Sequence, residues 1–470
     1  MDGCAPHGHI YGYPVRSRQR QQGRGHLSAA PLDLHYSALN DRFSVEDAVS
    51  DYSRLVTAAH NQHEPVHSWF HLKEAYSSQL LSRVLKDSGY TPREPFRVLD
   101  PFSGSGTTML SAVDLALASS VSYDLIGIER NPFLWTLSNA KLAAITAGKT
   151  LIPVLRQELR RVRAEYARAS TQRFSTVSST LNNAQYFKPE HVESLLRLRQ
   201  SLEIVEDRAS KTIFLASLGA TVEGTGKLRR DGRALRYVES RNATAPYSAW
   251  LRRTGDIITD LENMPGSSNG KFRIEHGDAR NIEAHFESDQ KVDWIFFSPP
   301  YPNNIDYTEV YKLENWVIGG WTSAVEMKQQ RLSTLRSHPS ISFPEQYSFR
   351  AGAHSDAIES LLAPLLASIP KDRYETRRRQ LVLGYFDDMY QVLKQSRGVI
   401  SADGHLCYVV GNSTHGMGEG AFVIAADLLI ARLGELAGWE ISTFNIARRL
   451  KRRGAASTYL RESVVILRPC

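Results

Sequence analysis

Phe96-Arg97-Val98-Leu99-Asp100 reads as a short buried strand, and it runs without a gap through Pro101-Phe102-Ser103-Gly104-Ser105-Gly106 into a helical pattern from Thr107. A strand that turns on glycine into a helix returns to a parallel neighbour through a right-handed crossover. The pattern repeats at once: Asp124-Leu125-Ile126-Gly127-Ile128-Glu129 is a second strand, and Pro132 opens the next helix at a position proline tolerates. Strand signals return at Phe272-Arg273-Ile274-Glu275 and Val292-Asp293-Trp294-Ile295-Phe296-Phe297. Further on, a helix over 378–395, a strand over 405–410, a helix over 421–437 and strands over 440–447 and 463–467 complete the series. The expectation is an α/β fold with a mostly parallel seven-stranded sheet, helices on both faces and two insertions, at 151–270 and 302–372. Upstream, residues 1–40 are rich in Gly, Pro, His, Gln and Arg and read as a mobile basic tail. Residues 41–95 read as a helical segment, with helices over 44–60 and 73–86.

The ends of these strands carry the chemistry. Gly104 and Gly106 let the backbone approach a ligand, and the helix behind them offers free amides. No lysine follows, so this is not a phosphate-binding Walker loop, and the spacing G-x-G-x-x-G is not met. Glu129 ends the second strand and can accept ribose hydroxyls; Asp278, after the third, can accept an adenine amine. Three acids at successive strand ends favour a nucleoside cofactor over chance surface carboxylates. After the fourth strand stands Ser298-Pro299-Pro300-Tyr301. Two prolines stiffen the chain and remove two donors, leaving carbonyls free. Beside the Ser298 hydroxyl such a carbonyl can accept both hydrogens of an exocyclic amine, and Tyr301 offers a face for stacking.

These two motifs resemble the exocyclic-amino DNA methyltransferases, which make N4-methylcytosine or N6-methyladenine from S-adenosylmethionine. Trp69-Phe70-His71-Leu72-Lys73-Glu74-Ala75-Tyr76-Ser77 is similar to the family's element over the methionine end of the cofactor. Tyr408-Val409-Val410-Gly411-Asn412-Ser413 and Arg461-Glu462-Ser463-Val464-Val465-Ile466-Leu467 resemble its fifth-strand exit and last strand. The resemblance covers about 65–470 and implies a Rossmann-like class I methyltransferase domain over 96–470. It implies S-adenosylmethionine bound by Asp100, Pro101, Phe102, Ser103, Gly104, Gly106, Thr107, Glu129 and Asp278, with Ser298, Pro299, Pro300 and Tyr301 as the amine pocket. Ser298 at the first pocket position favours cytosine N4 over adenine N6. Ring-carbon cytosine methylation is disfavoured, since Pro469-Cys470 is the only Pro-Cys pair. Rivals are an RNA base-amino methyltransferase and an inert nucleic-acid-binding protein of the same fold. On the leading reading the partners are double-stranded DNA and a cognate restriction endonuclease.

Composition narrows the setting. The 470 residues carry 57 Lys plus Arg against 50 Asp plus Glu, a net charge of +7 that only weakly favours a polyanion. Its distribution says more: Lys227, Arg229, Arg230, Arg233, Arg236, Arg241, Arg252 and Arg253 face only Asp231 and Glu239 over 227–253. Lys227, Arg229, Arg230, Arg233 and Arg236 are the candidate DNA contacts. The segment 302–372, with Asn303-Asn304-Ile305-Asp306-Tyr307, is the other candidate for reading the target. Cys4, Cys407 and Cys470 lie too far apart for a disulfide framework or a zinc site, which suits a cytoplasmic setting; no metal and no membrane span are expected.

Overall fold

The computed structural model describes residues 31–169, 174–232, 234–264, 266–416, 420–451 and 457–470. Its centre is one sheet built from β1 (Glu46–Asp47), β2 (Phe96–Asp100), β3 (Tyr123–Glu129), β4 (Gly270–His276), β5 (Val292–Phe297), β6 (Ile400–Gly411), β7 (Trp439–Arg449) and β8 (Arg461–Pro469). Their order is β1-β7-β8-β6-β5-β2-β3-β4. The run from β6 to β4 is parallel throughout, whereas β8 lies antiparallel to both β6 and β7. This is the α/β, Rossmann-like arrangement, and the two-residue β1 adds an eighth strand to the seven expected.

Strand alternation places Val98, Leu125 and Phe296 in one core and Leu99, Ile126 and Ile295 in the other. The first core is covered by helices Thr107–Ala118 and Pro132–Ala147 and by helices of the insertion, among them Arg208–Val222 and Pro246–Glu262. The second is covered by Pro31–Arg42, Ser355–Ala367, Glu375–Val399 and Ala426–Leu436. Each apolar side chain buried this way contributes roughly 1.5–3 kcal/mol. Because β2 leads to β3 on one side while β5 returns to its other side, a crevice opens at their carboxyl ends.

Several expectations are corrected. The tail does not extend to residue 40: Pro31–Arg42 is a helix with Leu32, Tyr36 and Leu39 buried, and the Tyr36 hydroxyl donates to the Val423 carbonyl at 2.9 Å. The polar composition hid that apolar spacing. Residues 1–30, including Arg16, Arg18, Arg20 and Cys4, lie outside the described residues. Residues 44–60 form β1, a single turn Val49–Tyr52 and irregular backbone in place of a long helix. The helix placed over 73–86 begins only at Leu80. Here the chain lies across the sheet's edge and burial of Tyr52, Val56, Trp69, Phe70 and Tyr76 outweighs helical periodicity. The helix at 421–437 is likewise split into a hairpin strand Phe422–Ile424 and the helix Ala426–Leu436. Among the described residues no helix is long and apolar enough to cross a membrane.

Candidate active site

At the β2 exit the Asp100 carboxylate organises the turn. Its Oδ1 accepts from the Phe102 amide at 2.8 Å and its Oδ2 from the Thr108 hydroxyl, which also meets the Tyr76 hydroxyl. Gly104 and Gly106 have φ of 52° and 82°, which side chains rarely adopt. A Cβ at Gly106 would also sit 2.9 Å from the Ser138 hydroxyl. At the β3 exit the Glu129 carboxylate takes the Gly104 amide at 2.8 Å and the Asn131 amide at 2.7 Å, tying the turn to the next helix. Burial pushes both Asp100 and Glu129 up to about 7, against the lowering effect of these hydrogen bonds. Neither has an ion-pair partner among the described residues.

Asp278 differs. Burial alone would raise its pKa, but Arg280, paired at 2.6 Å, holds it below the usual carboxylate range. Its oxygens already accept from the Arg280 amide and guanidinium, so an adenine amine would share an engaged carboxylate.

Asp100, Pro101, Phe102, Ser103, Gly104, Thr107, Glu129 and Asp278 line one cavity of about 540 Å³ together with Ser298, Pro299, Pro300 and Tyr301. Gly106 does not line it; it stands behind the wall, where only its backbone freedom is used. The segment His71 to Tyr76 lines the glycine-turn end, where Leu72 approaches Gly104, with the Lys73 ammonium donating to the Arg230 carbonyl at 3.0 Å and Glu74 accepting from the Tyr311 hydroxyl at 2.6 Å. At the other end the Tyr301 hydroxyl donates to Glu462 at 2.5 Å, and Glu462 pairs with Arg448 at 2.7 Å. Gly411 is required beside it, since a Cβ there would lie 2.6 Å from the Tyr301 ring. The Pro302 carbonyl accepts from Ser413 at 2.6 Å and contacts the His415 ring nitrogen at 2.8 Å, pinning the proline loop to the following hairpin.

The candidate DNA contacts fare unevenly, and none of those among the described residues lines the cavity. Arg230 is a correction: its guanidinium is buried, pairs with Glu223 at 2.7 Å and Glu314 at 2.8 Å, and lies over the Phe70 ring, so it is closed to phosphate. Arg236 pairs with Asp231 at 3.2 Å; Lys227 is half-buried and Arg229 exposed. Arg233 lies outside the described residues, as do Arg452 and Arg453. Sequence reasoning missed Glu462 and Arg448 as parts of the site, whereas Tyr307 belongs to the Asn303–Tyr307 stretch already singled out after the proline loop. Only Glu462 left a trace, as a carboxylate beginning an otherwise apolar strand.

No family model matches the chain. Over 435 residues it is 23% identical to the type II methyltransferase M.AvaI of Nostoc sp., covering 85% of this chain and 84% of that protein. It is also 23% identical, over 320 residues, to the type II methyltransferase M.BsoBI of Geobacillus stearothermophilus, covering 62% and 60%. The chain is a relative of the type II methyltransferases. Among solved structures, TrmN from Thermus thermophilus superposes at a TM-score of 0.27 with 10% identity, covering 84% of this chain and 49% of that one. The rRNA methyltransferase aviRa from Streptomyces viridochromogenes superposes at 0.29 with 11% identity, covering 87% and 91%. The fold of this chain rests on its own strand order, and the expected cofactor is S-adenosylmethionine. The cavity fits that molecule: two buried carboxylates without cationic partners suit a cofactor bearing a sulfonium and an ammonium, and the two positive-φ glycines give the close-approach turn.

Proposed function

We propose that this methyltransferase methylates an exocyclic amine of a base flipped out of duplex DNA, cytosine N4 in preference to adenine N6. The observation that carries the reading is the continuity of one cavity from the Asp100–Glu129 carboxylates to Ser298–Tyr301. Asp100, the glycine turn and Glu129 would hold S-adenosylmethionine, which supplies an electrophilic methyl group. Ser298 and the stiff carbonyls beside it would accept the amine hydrogens and aim its nitrogen lone pair, so that orientation replaces a covalent nucleophile. Tyr301, fixed by Glu462, would stack the base and offset part of the few kcal/mol spent in flipping it. Relatives named as type II methyltransferases support DNA and a restriction partner as the setting. The test is transfer of labelled methyl to duplex DNA and, in parallel, to total RNA, with the labelled nucleoside identified by mass spectrometry. N4-methylcytosine in DNA is expected; N6-methyladenine would correct the base, and label in RNA alone would overturn the substrate.

Tyr301→Ala is expected to lower turnover about ten- to a hundredfold, the range of one base stack removed, with cofactor affinity kept. Equal loss of both in titrations and steady-state assays would remove Tyr301 from base binding. For the phosphate track a second surface competes with the 228–237 hairpin, where Arg230 and Arg236 are already paired. A groove beside the target end is bordered by Asn304, Ser340, Tyr374, Arg377 and His415, with Tyr374 exposed and the Arg373 guanidinium over its ring at 4.7 Å. Arg373→Gln with Arg377→Gln is expected to flatten the salt dependence of duplex affinity by about 0.9 in log–log slope for each phosphate no longer neutralised. Arg229→Gln with Arg236→Gln should leave the slope unchanged; the reverse result would return the track to the hairpin.

A further inference from the structure

The segment after Tyr301 contributes Asn303, Tyr307, Ser337 and His338 to the cavity wall, and it contains a polar chain with one loose end. Asp306 caps the short helix Tyr307–Val310, its Oδ1 accepting from the Thr308 amide at 3.1 Å and the Glu309 amide at 3.3 Å. Its Oδ2 accepts from Arg331 at 2.5 Å and, at 3.0 Å, from the Ser340 hydroxyl. That hydroxyl has a single proton, and it goes to a carboxylate that cannot give one back. The 2.6 Å contact between Ser340 Oγ and His338 Nδ1 is therefore an Nδ1–H donating to the serine oxygen. A neutral imidazole has only one N–H, so Nε2 is left as a bare acceptor. Burial keeps the ring neutral: it lowers the His338 pKa and, with Arg331, outweighs the opposing pull of Asp306 and Glu309.

His338 is only 2% exposed, and its Nε2 has no hydrogen-bond partner. The nearest carboxylate oxygen, Asp306 Oδ1, is 3.7 Å away and itself an acceptor. Yet Ser337 and His338 line the same cavity as Ser298, Tyr301, Asn303 and Tyr307. A buried acceptor left without a donor is costly, and this one is held in a fixed tautomer by three further residues.

We infer that His338 is a specificity-determining residue, its Nε2 accepting a hydrogen from an N–H on the edge of the flipped target base. The inference rests on the base-methylation reading above. It gives part of target reading to the segment 302–372, and it makes Asp306, Arg331 and Ser340 positioning residues that act through the imidazole.

The test compares His338→Phe, which keeps a flat ring without the acceptor, with His338→Gln, which restores one. On whichever polymer takes the label, kcat/KM of the Phe variant is expected to fall about ten- to a hundredfold, while the S-adenosylmethionine Kd and the melting midpoint stay near wild type. The Gln variant is expected to recover at least part of that loss. On a duplex with an abasic target position, wild type and both variants should bind alike, because no base edge is present to read. Ser340→Ala, which frees the tautomer without touching the cavity ring, should give a smaller loss of the same kind and serves if the Phe variant is poorly folded. An unchanged kcat/KM in His338→Phe and Ser340→Ala, or an equal loss on the abasic duplex, overturns the assignment. Absence of label from wild type in both polymers overturns the methylation reading itself.

Discussion

S-adenosylmethionine is expected to bind roughly ten- to a hundredfold more tightly at pH 8 than at pH 6, with the gain nearly complete by pH 8. The reason lies in Asp100 and Glu129, both pushed up to about 7 by burial and both lacking a cationic partner among the described residues. Below pH 6 each carboxyl is mostly protonated, and a cofactor with positive charge must expel those protons before its charge is matched. Above pH 8 the protons are already gone and affinity levels off. One group titrating over that interval gives about tenfold, and two give about a hundredfold. Calorimetry at pH 6.5 in buffers of different ionisation enthalpy counts the protons released, and Asp100→Asn or Glu129→Gln should each lower the count by about three-quarters of a proton. A Kd independent of pH would show that the cofactor does not engage this pair. The same shifts carry a stability consequence of opposite sign. The unfolded chain ionises near the ordinary carboxylate range, so the free protein is favoured by this pair at low pH. That advantage is lost as pH rises from about 4 to 7, and bound cofactor should restore it.

Arg336→Met should cost about 3–5 kcal/mol, the range for removing one partner of a buried ion cluster. Its guanidinium reaches Asp387 at 2.7 Å and Asp388 at 2.6 Å, both on the helix Glu375–Val399 and both 1% exposed. It also donates to the Gln346 carbonyl at 2.7 Å, while Asp387 receives the Ser348 and Phe349 amides. Without the arginine two carboxylates remain in the core with only Arg280 near one of them. The urea midpoint reads the loss. Because the cluster is buried, added salt should not mimic it; a change below about 1 kcal/mol would mean that water reaches the site. Since Arg336 is two residues from His338, the variant should also loosen the target wall and raise the KM for duplex.

What was legible in the sequence follows from the distance over which each feature is decided. The strand-turn-helix at 96–118 and the Ser298–Tyr301 exit are set by neighbouring residues, and their placement can be read locally. The helix Pro31–Arg42 was obscured because its apolar positions are few and its pairing, Tyr36 to Val423, spans most of the chain. Residues 44–79 carry a helical rhythm but are held by long-range partners, such as Trp69 to Asp260 at 2.7 Å. Arg230 looked like a phosphate ligand because its buried partner Glu314 is 84 residues away and its other partner, Glu223, lies just outside the basic run 227–253. The partners of Tyr301 and Arg336 are equally remote, and no periodicity announces them.

The place of β8 in the sheet also imposes an order in time. The strands that end at Asp100, Glu129 and His276, and the strand before Ser298, are all made before β8. β8 must instead slide between β6 and β7, and it alone brings Glu462 to the Tyr301 hydroxyl. On a chain emerging from the ribosome, earlier segments can fold before later ones are made. The cofactor end would thus be shaped while the target end is still open, and a growing chain would hold S-adenosylmethionine before it could position a base.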